Sequence, residues 1–214
     1  REATQAEALY ILGDFFDAWI GDDDYSPYNQ EIIKALSNAT RQGLKIYLMI
    51  GNRDFLLSSG FANMSGAKLI LDPTLINLYG KEVLLTHGDA LCTLDTRYQK
   101  LRRLTHSSWM QAIALMTPLF IRRYVGKQLR QHSHQHSGNL DASITDVTEN
   151  AVIAEFQKHE ADYMIHGHTH RSKVHTHQLS SGKTVQRIVL DAWFDKANAL
   201  YWYENDEFEL KHFS

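Results

Sequence analysis

Four short polar clusters lie along this chain, and each follows an apolar run that is typical of a buried strand. The clusters are Gly13-Asp14, Gly51-Asn52-Arg53-Asp54, His87-Gly88-Asp89 and Gly167-His168-Thr169-His170. Together they offer carboxylate and amide oxygens and imidazole nitrogens, a mixed ligand set that suits Mn²⁺, Fe²⁺ or Zn²⁺ better than Ca²⁺. The sequence therefore predicts a metal site assembled from separate pieces of the chain.

The candidate ligands are Asp14, Asn52, His87, His168 and His170. Asp14 is the candidate for a bridging carboxylate, because Gly13 before it allows the backbone to turn sharply. On an extended segment His168 and His170 point the same way and can reach neighbouring metals. Two divalent ions about 3.5 to 4 Å apart can clamp the oxygens of a phosphoryl group, and Arg53 offers a fork for a phosphate oxygen. The predicted chemistry is hydrolysis at phosphorus.

Strands must position these clusters, and we predict them over 8–12, 46–50, 83–86 and 163–165. Their continuous apolar composition is typical of a sheet covered on both faces. Ligands gather beyond the carboxyl ends of the strands in open α/β sheets, so we expect the clusters to meet at one edge of one sheet. Strands and helices alternate along the chain, which predicts an α/β layered architecture.

The segment 98–129 is helical in pattern, apolar and basic. Between Asp95 and Asp141 there is no acidic residue, whereas eight arginines and lysines occur there. Pro118 predicts a break into two helices, and a polar connection over 131–139 follows. Two interpretations stay open: an ordinary helix pair packed on the domain, or a surface that lies on an anionic membrane or encloses acyl chains.

Length and composition limit the class of protein. The 214 residues, 43% of them hydrophobic, predict a single domain with a helical lid insertion over 98–140. A net charge of -3 does not indicate a nucleic-acid binder. The single cysteine, Cys92, excludes an intramolecular disulfide and indicates a reducing compartment. No apolar stretch approaches the length of about 20 residues that a spanning helix needs, and no signal peptide is visible.

Longer blocks around the clusters carry a resemblance to a known family. The blocks cover 9–23, 51–57, 87–93 and 165–171. They resemble the calcineurin-like metallophosphoesterase superfamily and, more closely, the UDP-2,3-diacylglucosamine hydrolases of the lipid A pathway. The resemblance implies a layered metallophosphoesterase-like β-sandwich flanked by helices. It also implies two Mn²⁺ ions and attack of metal-bound water on the α-phosphorus of a UDP-linked diacylated glucosamine, giving UMP and 2,3-diacylglucosamine 1-phosphate.

The resemblance also implies a role for individual residues. Asp14 corresponds to the bridging ligand, Asn52, His87 and His168 to ligands of one metal, and His170 to a ligand of the other. The implied catalytic residues are Asp14, Asn52 and His87. The implied substrate-binding residues are Asn52, Arg53, Asp95, Tyr98, Ser133 and His168. The expected location is cytoplasmic, peripheral on the inner face of the bacterial inner membrane.

This chain departs from the family pattern in two places. The opening Asp-x-His strand, which supplies two ligands of the second metal, is absent, and we expect further sequence upstream of Arg1. Ser137 and Leu140 stand where the family tends to have a substrate-facing asparagine and lysine. The alternatives are another metallophosphoesterase, such as a phosphodiesterase or nucleotidase, or an inactive scaffold that keeps one metal. The acidic run at 22–24 is expected to be a solvated turn.

Overall fold

Apolar strands and amphipathic helices build two units in this protein. The structure, a computed structural model, describes residues 5–139, 144–193 and 197–213, with the side chains of 130–139 and 197 left out. Unit 1 takes in Arg1–Leu71 and Arg97–Leu140, and unit 2 takes in Asp72–Thr96 and Asp141–Ser214. The predicted α/β class is confirmed.

Unit 1 contains a parallel sheet whose strands are joined by helices. In chain order the elements are β1 (Ala8–Leu12), α1 (Pro27–Arg41), β2 (Lys45–Met49), α2 (Ser59–Ser65) and β3 (Lys68–Ile70). The strand order is β1-β2-β3. α1 begins after Ser26, whose hydroxyl accepts a hydrogen bond from the backbone nitrogen of Asn29, a standard helix start. Phe16, Trp19 and Phe61 are fully buried in the core of this unit.

The helical segment of the chain forms three helices, not the two that we predicted. They are α3 (Thr96–Thr105), α4 (Ser108–Met116) and α5 (Leu119–Asn139). The break at Pro118 is confirmed. A further break comes at His106 and Ser107, whose side chains bond to the backbone carbonyls of Arg102 and Leu104 and so compete with the helix for them. The predicted connection over 131–139 is wrong, because α5 continues through it.

Unit 2 contains a mixed sheet and a separate hairpin. In chain order the elements are β4 (Thr74–Leu78), β5 (Lys81–Thr86), a 3-10 turn (Asp89–Leu91), α6 (Glu149–His159), β6 (Tyr163–His166), β7 (Lys173–Gln178), β8 (Thr184–Val189), β9 (Ala197–Trp202) and β10 (Phe208–Phe213). The sheet order is β4-β5-β6-β8-β7, and β9 pairs with β10. The central strands β5, β6 and β8 are parallel, and Val152, Phe156 and Met164 are buried in the core.

The expectation that all four cluster-bearing strands share one sheet is wrong. β1 and β2 are parallel neighbours in the sheet of unit 1, and β5 and β6 are parallel neighbours in the sheet of unit 2. Apolar continuity shows that a strand is buried, but it does not show which strand it pairs with. The clusters therefore come in two pairs, one pair in each sheet.

No helix in the described ranges has both the length and the apolar character needed to cross a membrane.

Candidate metal centre

The first pair of clusters follows β1 and β2 in unit 1. Gly13 and Asp14 both adopt positive φ, at 85° and 51°, so the chain turns sharply where β1 ends. A Cβ on Gly51 would clash with the backbone nitrogen and the Oδ1 of Asp14. The loop that carries Asn52 can therefore lie directly against Asp14 only because residue 51 is glycine.

Backbone amides and carboxylates hold these two loops together. The backbone nitrogen of Arg53 donates to Asp14 Oδ1 at 2.9 Å, and the Arg53 Nε lies 3.6 Å from Asp14 Oδ2. Asp54 is fully buried and accepts hydrogen bonds from Gly51 N at 2.7 Å and Phe15 N at 2.8 Å. Asp54 thus ties the ends of β1 and β2 to each other. Asp54 belongs to the cluster 51–54, but this role was not predicted from the sequence.

The second pair of clusters follows β5 and β6 in unit 2. His87 is only 1% exposed, His168 is half-buried and His170 is exposed. The rings of His87 and His168 lie edge to face, with centroids 5.0 Å apart. The extended conformation predicted for 168–170 is wrong: His168 and His170 adopt left-handed φ values of 61° and 54°. The backbone nitrogen of Thr169 donates to the Gly167 carbonyl at 2.7 Å, which closes a tight turn.

His166, the last residue of β6, supports this second pair and was not singled out from the sequence. Its Nε2 accepts a hydrogen bond from Arg187 Nη1 at 3.0 Å, and its Nδ1 lies 3.0 Å from the Gly167 carbonyl. A guanidinium only donates, so the proton of His166 is on Nδ1. Burial lowers the pKa of His166 to about 3, and the imidazole is therefore neutral at physiological pH.

Three of the six non-glycine residues with positive φ in the described ranges are predicted ligands, and the other three, Tyr79, Glu160 and Asp206, are not. Asp14, His168 and His170 are non-glycine residues with positive φ. Such a conformation costs about 1 to 3 kcal/mol for each residue and persists only where the surrounding structure enforces it. Strain of this kind clusters at functional sites. At Asp14 and His168 the positive φ values lie just past the ends of β1 and β6.

The predicted substrate-binding residues lie in different elements. Arg53 places its Nη1 3.5 Å from Asp17 Oδ1, in addition to its contacts with Asp14. Asp95 and Tyr98 are both half-buried near the start of α3. The backbone of Ser133 lies in α5, and its side chain is outside the described residues. Their contacts with a substrate stay predictions.

The acidic run at 22–24 is not the solvated turn that we expected. Asp22 accepts hydrogen bonds from the backbone nitrogens of Ser58 and Phe61, at 3.3 Å and 2.8 Å, at the start of α2. This is where a helix favours negative charge. The signal was present in the sequence, since an aspartate satisfies exposed backbone amides, but its partner lies 36 residues away.

Asp23 connects the same turn to α5. Its Oδ1 accepts from Arg122 Nη1 at 2.8 Å, and the side chain of Arg122 is only 7% exposed. The hydrogen bond from Arg122 lowers the pKa of the Asp23 carboxyl. Next to it, Arg123 Nη2 lies 2.7 Å from Asp24 Oδ1. The turn therefore holds the first part of α5 through two ion pairs.

The donors at these strand ends suit a divalent transition metal. In unit 1 the donors are the carboxylate of Asp14 and the amide oxygen of Asn52, and in unit 2 they are the neighbouring imidazoles of His87 and His168. Mixed oxygen and nitrogen ligands are typical of Mn²⁺, Fe²⁺ and Zn²⁺ sites. The residue types therefore fit the metal chemistry predicted from the sequence.

Comparison with known proteins gives the relationships of the chain. The calcineurin-like phosphoesterase family matches residues 1–172. The chain is 43% identical over 213 residues to a UDP-2,3-diacylglucosamine hydrolase from Coxiella burnetii (strain RSA 493 / Nine Mile phase I), covering 100% of this chain and 87% of that protein. It is 48% identical over 193 residues to the enzyme of that name from Photorhabdus laumondii, covering 90% and 80%. It is 41% identical over 212 residues to the enzyme of that name from Escherichia coli O81 (strain ED1a), covering 99% of this chain and 88% of that protein. The chain belongs to the calcineurin-like phosphoesterase family and, within it, groups with the UDP-2,3-diacylglucosamine hydrolases.

Proposed function

We propose that this protein hydrolyses the pyrophosphate bond of UDP-2,3-diacylglucosamine, giving UMP and 2,3-diacylglucosamine 1-phosphate in lipid A biosynthesis. The observation that carries the proposal is the identity of 41% to 48% with hydrolases of that name over 90% or more of the chain. The strained, polar strand ends described above supply the residue types that phosphoryl hydrolysis needs. Water attacks the α-phosphorus, and the bond from that phosphorus to the bridging oxygen breaks.

Divalent metal binding follows from the family, and we propose Mn²⁺ as the metal. The proposed ligands are Asp14, Asn52, His87, His168 and His170. When bound, such ions act as Lewis acids that stabilise negative charge on the phosphoryl oxygens. The number of ions per active site, two by the resemblance, belongs to the same proposal.

Arg53 is the residue that we propose to bind the pyrophosphate directly. Its side chain is 24% exposed and lies beside the carboxylates of Asp14 and Asp17. These carboxylates orient the guanidinium, whose fork can donate two hydrogen bonds to phosphate oxygens. Its backbone nitrogen meanwhile holds Asp14. Arg53 thus links substrate binding to the position of a proposed metal ligand.

The helices α4 and α5 carry apolar side chains that the fold leaves exposed. α4 has no buried residue, and Met116 and Phe120 are 84% and 72% exposed. We call this set the helical apolar surface, and its members are Trp109, Ile113, Leu115, Met116, Phe120, Ile121, Tyr124, Val125 and Leu129. An ordinary packed helix pair would bury these side chains, so the exposure favours the alternative interpretation from the sequence.

We propose that the helical apolar surface binds the acyl chains of the substrate and rests on the anionic membrane that contains it. Burial of one methylene contributes about 0.8 kcal/mol, so a small part of two acyl chains supplies substantial affinity. The flanking charges in this segment are all positive, as expected for contact with an anionic surface. The corresponding location is peripheral, on the cytoplasmic face of the inner membrane.

The direct test is release of UMP from detergent-solubilised UDP-2,3-diacylglucosamine by the Mn²⁺-loaded protein. We expect turnover of this lipid and much slower hydrolysis of bis-(p-nitrophenyl) phosphate and of nucleoside monophosphates. Preference for the simple phosphoesters would instead assign a soluble phosphodiesterase or nucleotidase. Absence of turnover on every substrate, with one Mn²⁺ bound, would indicate an inactive scaffold.

A further inference from the structure

Arg187 is a buried arginine on β8 whose partners are unusual. The residue is 7% exposed, and a buried guanidinium is normally paired with a carboxylate. Within the described ranges, its hydrogen bonds instead run to two imidazoles, His166 Nε2 at 3.0 Å and His177 Nε2 at 3.5 Å. Such an arrangement carries a desolvation cost without a direct counter-charge. The arrangement is therefore explained better by a role of Arg187 in orienting the imidazoles than by a contribution to stability.

The shorter of the two bonds determines the chemical state of His166. Because Arg187 can only donate, the Nε2 of His166 must carry a lone pair. The proton then lies on Nδ1 and is directed to the carbonyl of Gly167. Without Arg187, the other tautomer becomes available, and it would remove that hydrogen bond. The ring plane of His166 is thus held at both nitrogens.

His166 touches both segments that carry the proposed imidazole ligands. A Cβ on Gly88 would lie 2.7 Å from His166 Nδ1, so the residue after His87 packs directly on the ring. On the other side, Gly167 leads to His168, and the Gly167 nitrogen donates to the His87 carbonyl at 3.1 Å. A rotation of the His166 ring would consequently displace both segments.

We propose that Arg187 is a positioning residue, which holds His166 in one tautomer so that His166 fixes the segments carrying His87 and His168. The inference rests on the proposed function only in treating these two histidines as metal ligands. Residues that orient metal ligands from outside typically contribute about 10- to 100-fold to metal affinity or activity. Arg187 contacts His166 and not the ligands themselves, so we expect an effect near the lower end of that range.

The central variant is Arg187→Met, which keeps much of the apolar stem and removes every donor. We expect Mn²⁺ binding, followed by electron paramagnetic resonance of the free ion, to weaken about 10-fold. In the metal-free protein, long-range ¹H–¹⁵N spectra of the histidine rings should show loss of the single Nδ1-protonated form of His166. Arg187→Lys retains a charged donor group, although without the fork of the guanidinium, and should restore part of both signals. His177→Ala removes the longer bond of Arg187 and serves as the matched control, with Mn²⁺ affinity close to that of the wild type.

A second pair of variants tests the same arrangement from the imidazole side and does not depend on Arg187→Met folding well. His166→Gln places an acceptor near the Nε2 position, whereas His166→Asn places a donor near the Nδ1 position and leaves Arg187 without its acceptor. We expect His166→Gln to bind Mn²⁺ more tightly than His166→Asn. Equal affinities for the two would contradict a role for the bond from Arg187.

The outcomes separate this inference from the proposed function. If Arg187→Met and Arg187→Lys both keep the affinity and the tautomer of the wild type, Arg187 is structural only and the inference is wrong, whatever the substrate proves to be. If the wild-type protein fails to release UMP but these variants still weaken Mn²⁺ binding in the expected order, the proposed function fails while the positioning role stands.

Discussion

The two units hold their proposed ligands by different physical means. In unit 1, the buried carboxylate of Asp54 and the backbone nitrogen of Arg53 fix the loop ends through charge-assisted hydrogen bonds. In unit 2, a neutral buried imidazole, His166, does so between a guanidinium and a backbone carbonyl. A carboxylate ligand such as Asp14 carries charge and can be held by amide dipoles, whereas imidazole ligands must stay neutral to bind a metal. The support for each kind of ligand differs accordingly.

The largest effect is expected when one proposed ligand is removed from each unit. Asn52→Ala and His168→Ala should each lower the rate of UMP release by more than about 100-fold, since even residues that only orient ligands contribute 10- to 100-fold. Both side chains are half-buried and not part of the core, so circular dichroism and the urea midpoint should change little. Wild-type turnover in either variant would refute the assignment of ligands.

A second test asks whether the carboxylate of unit 1 supports structure as well as function. Asp54→Ala leaves the backbone nitrogens of Gly51 and Phe15 without their acceptor, and buried charge-assisted bonds of this kind contribute about 1.5 to 3 kcal/mol each. We expect the free energy of unfolding, measured in urea, to fall by about 3 kcal/mol. Asp54→Asn keeps one carbonyl acceptor, so its free energy of unfolding should fall by less. If both variants unfold like the wild type, the loop ends are held by other contacts.

If the helical apolar surface of unit 1 binds acyl chains, variants in unit 1 and in unit 2 should respond differently to the chain length of the substrate. Trp109→Gln combined with Met116→Gln should raise the KM for long-chain substrate about 10-fold, because two large side chains lose roughly 1.5 kcal/mol or more of apolar contact. A short-chain analogue should show little change. Leu75→Gln, at a partly exposed leucine on β4 of unit 2, is the control and should leave both KM values unaltered. An identical response to both chain lengths would remove the helical apolar surface from substrate binding.

These differences also explain what the sequence alone could predict. The strand at 8–12 was placed to the residue, since an apolar run bounded by turn residues is a local signal. The placement of the clusters after strands followed in the same way. The partition of strands between two sheets depends on pairings between distant segments, and nothing in a single strand specifies its neighbour.

The features of the site that were not predicted from the sequence likewise depend on contacts between distant parts of the chain. The left-handed conformation of His168 is imposed by its surroundings and is not a preference of histidine. Arg187 and His166 lie 21 residues apart, and although His166 belongs to the block 165–171, nothing in the sequence pairs it with Arg187. β7 was not predicted because its side chains alternate between exposed and half-buried at an edge of the sheet, where apolar residues are not required.

The smallest expected effect concerns the ion pair that holds α5 in unit 1. Asp23 is more than half exposed, and pairs of this kind contribute about 0.2 to 1 kcal/mol. Arg122 lowers the pKa of Asp23 in the folded protein, so the contribution is present above the unfolded pKa of an aspartate and is lost as the pH falls through the lower, folded value. Asp23→Asn should therefore reduce the free energy of unfolding at pH 7, with the difference from the wild type shrinking in acid.

Urea unfolding of the wild type and Asp23→Asn at neutral pH and at acidic pH measures this difference directly. Asp24→Asn, which breaks the neighbouring pair with Arg123, is the matched variant. Because Arg122 is buried and Arg123 is exposed, the first variant should cost more than the second: it leaves a buried guanidinium without its carboxylate. Equal costs would mean that burial of Arg122 is sustained by its bonds to the carbonyls of Ile20 and Thr117. In that case each unit would hold a buried guanidinium through neutral acceptors. The acceptors would be backbone carbonyls around Arg122 in unit 1 and imidazoles around Arg187 in unit 2.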